Sequence, residues 1–131
     1  MDNKNNQPTP GKFWTWFNPI GRQTGGLAFI LNRVTALGLL FYLSVHLIVL
    51  GQLAKGPAGY NGFVALMRNP ISIFGELLVV AAGIIHGLNG IRILLTTFGV
   101  GVTRQKQLFY ALMAIALIII LVFGLRMFTA A

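Results

Sequence analysis

The chain's two histidines, His46 and His86, both fall inside runs of apolar residues. An imidazole among apolar neighbours can ligate a metal, carry a proton, or act as a hydrogen-bonded strut between helices. His86 stands in GIIHGLNGIR, residues 83–92, with glycines on both sides. On a helix with ~100° per residue, Gly83 and Gly90 share its face, so the surface beside the ring is bare. Such clearance suits a flat macrocycle coordinated through a ring nitrogen. It equally suits a close helix crossing, which also favours small residues. Glycine alone does not choose between them.

Depth adds a second constraint. Taking Gln52 and Ile71 as the outer surface, a rise of ~1.5 Å per residue puts His46 roughly 9 Å and His86 roughly 22 Å below it. That difference, about 13 Å, is too large for the two rings to grip one iron. Each would need a partner ligand from another chain, and two stacked haems would then form an electron path across the bilayer. A b-type haem held by two imidazoles leaves no open iron position, which suits electron transfer. The other ring nitrogen is expected to donate to a carbonyl or hydroxyl on a neighbouring turn. Arg92 lies roughly 9 Å further along the helix than His86, and Arg33 opens the first span at a similar level. Their guanidinium groups suit haem propionates or a quinone carbonyl. Each also reads as a snorkelling anchor, and Glu76, near the outer end of its span, can reach water.

These residues need apolar helices to hold them. Of 131 residues, 56% are hydrophobic and 9% charged, and the mean hydropathy is +0.77, so a water-soluble globule is a poor reading. The apolar runs Val34–Leu53, Ile71–Ile91 and Leu108–Leu125, charged only at Glu76, approach the ~20 residues of a membrane-crossing helix. The expected fold is an all-α membrane protein of three transmembrane helices, with spans at about 27–53, 70–97 and 107–128. Residues 1–26 form an N-terminal segment with interfacial aromatics, and 27–128 form the anchor. No room remains for a soluble catalytic domain.

The net charge of +8 has a membrane cause and does not point to nucleic acid, because no basic stripe alternates with exposed aromatics. Lys4, Lys12, Arg22 and Arg33 precede or open the first span, and Arg92, Arg104 and Lys106 surround the second turn. Lys55 and Arg68 alone occupy the first inter-span loop. The positive-inside rule therefore puts the N-terminus in the cytoplasm. With no cysteine, disulfides and iron–sulfur ligation by this chain are excluded. The first 20 residues resemble neither a cleaved signal nor a transit peptide, so a prokaryotic plasma membrane is expected. Asn69-Pro70 is a good helix opening, and residues 63–68 are expected to form a short surface helix. The third span has a tyrosine near its start as its polar group and reads as scaffold.

HGLNGIRILLTTFG resembles the second-helix signature of the cytochrome b membrane-anchor subunits of succinate dehydrogenase, complex II: histidine, three residues, glycine, an apolar residue, arginine and an apolar run. LNRVTA resembles the arginine-containing start of that family's first helix. The resemblance covers residues 29–100. It implies that His86 is an axial ligand of haem b, that Arg33 belongs to the quinone site, with Asn32 beside it, and that His46 matches the first-helix histidine of two-haem members. It further implies a helical bundle shared with a second anchor subunit. A flavoprotein carrying FAD would oxidise succinate, and an iron–sulfur subunit would relay the electrons. Quinone would be the substrate at the membrane. Asn32 stands where many members have histidine, Thr35 and Ala36 replace a serine and a glycine, Phe29 replaces a serine, and Thr97 replaces an aspartate. Three other functions share these features: a quinol:fumarate reductase anchor, a haem-free proton channel or transporter subunit using His46, Glu76 and His86, and a purely structural anchor.

Overall fold

The computed structural model describes residues 13–19 and 23–130. Lys4, Lys12 and Arg22, on which the inside–outside expectation rests, lie outside the described residues. Among those described, four α-helices follow a short 3-10 turn at Phe13–Trp16: α1 Thr24–Leu50, α2 Pro57–Met67, α3 Pro70–Thr97 and α4 Gln105–Ala130. Three helical segments are long and apolar enough to cross a membrane: Thr24–Lys55, Pro70–Thr97 and Val102–Thr129.

Helix boundaries follow local chemistry. α1 starts at Thr24, ahead of the expected residue 27, because the Gln23 carbonyl accepts from the amides of Gly26 and Leu27 at 2.8 and 3.1 Å. The glycine pair is thereby taken into the first turn. Beyond Leu50 the chain tightens into a 3-10 turn, Gly51–Lys55. Gly56 then takes φ 73°, a value that favours a residue without Cβ, and Pro57 opens α2 at a position needing no amide. The helix thus begins at Pro57, six residues before the expected Phe63. Gly59 and Gly62 make this stretch look like loop in sequence, but the proline start offsets them.

α3 is closed at both ends. The Asn69 side chain accepts from the Ile71 amide at 3.0 Å, with Pro70 in the first turn. At the other end Val100 N–H reaches Leu95 C=O at 2.9 Å and Gly99 N–H reaches Thr96 C=O at 3.1 Å. With Gly99 at φ 81°, this pair of bonds is a Schellman motif. It turns the chain sharply toward α4.

α3 packs against both α1 and α4, which meet each other at few points. The burial pattern differs from that of a soluble bundle. The polar Thr24, Thr35, Asn89 and Arg92 are buried beside Ala28, Ile30, Phe109 and Ala116, while Phe41, Ile71 and Leu125 are largely exposed. Hydrocarbon, which offers no hydrogen bonds, makes this arrangement stable: polar groups turn inward to each other and apolar groups face the lipid. The α3–α4 contact is close at Gly124, where an added Cβ would lie 3.3 Å from a Leu77 methyl. Gly124→Leu should wedge the two helices apart at a cost of about 1–3 kcal/mol. A lower melting temperature of the detergent-solubilised protein would report it; an unchanged one would show that the contact is slack.

Candidate functional site

Thr35 and Asn32, neighbours on one face of α1, meet His86 on α3. His86 Nδ1 lies 3.2 Å from the Asn32 carbonyl oxygen and 3.2 Å from Thr35 Oγ1. A carbonyl has no proton to give, so the nitrogen facing it must carry the hydrogen. The Thr35 hydroxyl has a single proton, directed to the Leu31 carbonyl at 2.7 Å, which leaves an oxygen lone pair for the same imidazole N–H. Neutral His86 is therefore protonated on Nδ1. Its Nε2 keeps an in-plane lone pair, the form in which imidazole ligates metals.

The two flanks of His86 differ. Gly83, Gly90 and also Gly87 lie within about 100° of it on one side of α3. A Cβ at Gly87 or Gly90 would meet nothing within 4 Å, and one at Gly83 would touch only a Leu39 methyl at 4.0 Å. The helix surface on that flank is therefore open. On the other flank Asn89, fully buried, donates from Nδ2 to the Ala28 carbonyl at 3.0 Å and accepts on Oδ1 from Arg92 Nε at 3.0 Å. The Arg92 guanidinium stands 5.6 Å over the Phe109 ring. Arg92 thus belongs to an α3–α4 neighbourhood, about 120° round the helix from His86.

The remaining site residues separate. Asn32 Oδ1 is buried without a hydrogen-bond partner, beside the backbone carbonyl that holds His86. Arg33 is exposed and lies 4.2 Å over the Phe29 ring. His46 stacks on Tyr42 with ring centroids 5.5 Å apart, and its nitrogens make no hydrogen bond to a described residue. Because His86 is level with residues 32–35 of α1, His46 lies roughly 17–21 Å away along the bundle. That exceeds the 13 Å expected from loop positions alone. Glu76 is roughly 15 Å from His86 along α3. The three titratable groups of the channel alternative are not brought together. No cluster of three or more metal-ligating side chains occurs among the described residues, so this chain presents its imidazoles singly.

The family model described as "Succinate dehydrogenase/Fumarate reductase transmembrane subunit" matches residues 12–125. The chain belongs to that family. It is 32% identical over 84 residues to "Succinate dehydrogenase 2 membrane subunit SdhC" of Mycobacterium tuberculosis, covering 64% of this chain and 62% of that protein. It is 31% identical over 108 residues to "Succinate dehydrogenase hydrophobic membrane anchor subunit" of Halobacterium salinarum, covering 82% and 79%.

Within this succinate dehydrogenase/fumarate reductase transmembrane subunit, Asn89, Thr35, Gly87 and Phe109 carry roles that sequence reasoning did not assign. Asn89 had a usable signal, since a carboxamide in mid-span needs a partner as much as an ionisable group does. The spacing 83, 87, 90 likewise marks Gly87 on the open flank. Phe109 gave none, because its role depends on how α3 turns into α4. Asn89→Ala should strip the Ala28 carbonyl and Arg92 Nε of their partners and destabilise the bundle by roughly 1–2 kcal/mol. A fall in melting temperature is the expected readout; none would mean that water or lipid replaces the carboxamide.

Proposed function

We propose that this chain is the haem b-binding anchor subunit of a succinate:quinone oxidoreductase, passing electrons from an iron–sulfur partner to membrane quinone. The observation that supports it most is the 3.2 Å approach of His86 Nδ1 to the Asn32 carbonyl oxygen, which calls for a proton on that nitrogen and leaves Nε2 as a lone-pair donor beside an open helix flank. The haem would be held by His86 Nε2, with the second axial imidazole supplied by a second anchor subunit. Haem b, when bound, supplies a reversible one-electron centre with no free iron position.

The chain's own residues then have defined tasks. The Asn32 carbonyl and Thr35 hydroxyl fix the ring tautomer and orientation and increase the basicity of Nε2. Gly83, Gly87 and Gly90 keep side chains off the face where a porphyrin would lie. Arg33 offers a planar, permanently charged donor to a propionate or to a quinone carbonyl. Asn32 Oδ1, buried without a donor, is suited to accept from a quinol hydroxyl. The FAD and iron–sulfur clusters would reside on the flavoprotein and iron–sulfur partner subunits, as this chain has no cysteine. The N-terminal end of α1 would face the cytoplasm, where those subunits would dock. The family description spans fumarate reductases too, and the same residues would serve quinol oxidation in that direction.

His46 lacks the hydrogen-bonded backing that ligating histidines usually have, so the reading assigns one haem, at His86. Reduction of the purified complex with succinate should develop b-type absorption bands. His86→Ala should remove them and His46→Ala should keep them; a wild-type complex without such bands would rule out the haem assignment. Thr35→Val should retain the haem but raise its midpoint potential, since a less basic imidazole stabilises ferric iron less. Thr35→Ser should restore the wild-type potential in a redox titration.

A further inference from the structure

A cavity of about 640 Å³ opens where α1 begins and α3 hands over to α4. Its wall includes Thr24, Gly25, Arg92, Arg104, Gln105 and Lys106. Arg92 is the decisive member. It is only 8% exposed, its Nε is committed to Asn89, and its two terminal nitrogens meet no acceptor among the described residues. The chain has only two acidic residues. Asp2 lies outside the described residues, and Glu76 sits sixteen residues back along α3, roughly 24 Å away.

Arg92 is more than nine-tenths buried as a residue and has no counter-charge among the described residues, and a cation so placed is costly unless an anion joins it. The surroundings reinforce that demand. Gln23 makes no side-chain cap on α1, and neither α1 nor α4 has an acidic residue in its first turn. Both helices therefore bring a positive end, without an acidic residue in its first turn, to the rim of one cavity. Arg104 and Lys106 add two further cations.

We propose that this cavity binds the phosphate of an anionic phospholipid from the leaflet at that end of the bundle. The cavity lies where three spans end, at headgroup level, and basic pockets between transmembrane helices at this depth suit such headgroups. The exposed apolar Val102 also lines it and gives an acyl chain a surface to follow. One carboxylate from a partner protein would leave most of the volume unfilled. A haem on the open flank of His86 would lie on the other side of α3. The assignment extends beyond the electron-transfer reading and does not depend on it.

The test uses the intact complex, stripped of lipid in nonionic detergent, with its melting temperature followed as short-chain phosphatidylglycerol is added. A saturable rise is expected. Arg92→Gln should abolish it, and Arg92→Lys should retain part. The double variant Arg104→Gln/Lys106→Gln should raise the half-saturating concentration about fivefold per charge removed. This rim pair decides the matter if Arg92→Gln fails to assemble. Overturning results are no rise in wild type, an equal response in the variants, or an equal rise with inorganic phosphate, which would make it a free-anion site. Loss of b-type absorbance in an Arg92→Gln complex that still assembles would also overturn the assignment, by putting Arg92 on the cofactor.

Discussion

The crossing of α1 and α3 depends on polar groups that have no water to turn to. Asn89 holds the Ala28 carbonyl and His86 holds the Asn32 carbonyl, at positions about one helical turn apart on each strand of the crossing. In hydrocarbon an apolar surface gains little by meeting another apolar surface, so these bonds and close van der Waals contact set the register. Sliding α1 by half a turn would break both bonds at once, and sliding it by a whole turn would take the Thr35 hydroxyl away from His86. The same constraint that orders the helices also selects the imidazole tautomer, and with it the nitrogen left free for chemistry.

α3 is the organising helix. One flank is committed to α1 and α4 through Asn89, Arg92 and Phe109, and the opposite flank carries glycines. Its ends are capped by Asn69 and by the Schellman turn at Gly99, which satisfy several of its terminal amides and carbonyls within its own segment. A rigid, end-capped helix is a suitable mount for a ligand whose orientation sets its electronics.

Much of this was legible in the sequence. Hydropathy located the three spans because each is long, almost free of charge and bounded by glycine, proline or cations. Asn69-Pro70 announced the start of α3 through side-chain chemistry that operates within three residues. The candidate site was legible as a list, but its grouping was not. His86, Asn32 and Thr35 converge because of the register between α1 and α3, which depends on contacts fifty residues apart in the chain. Arg92 and Arg33 look equivalent in sequence, each at a span's end. Helix packing separates them: Arg92 is buried and held by Asn89, while Arg33 is exposed over the Phe29 ring. α2 extends further than its local pattern implies, because glycines at 59 and 62 weaken the helical signal more than Pro57 strengthens it.

The glycine flank of α3 has a consequence for association within the bilayer. A helix surface bearing only hydrogens is a shallow rut that acyl chains, being flexible and strongly curved in order to enter it, fill badly. Whatever settles there gains dispersion contact that lipid does not provide and returns the displaced chains to the fluid, where they recover rotational freedom. Lateral recognition at this flank is therefore driven by the poor solvency of hydrocarbon for a groove, and its strength should follow acyl-chain order: tighter in stiff membranes, whose straight tails fill a groove worst, than in fluid ones.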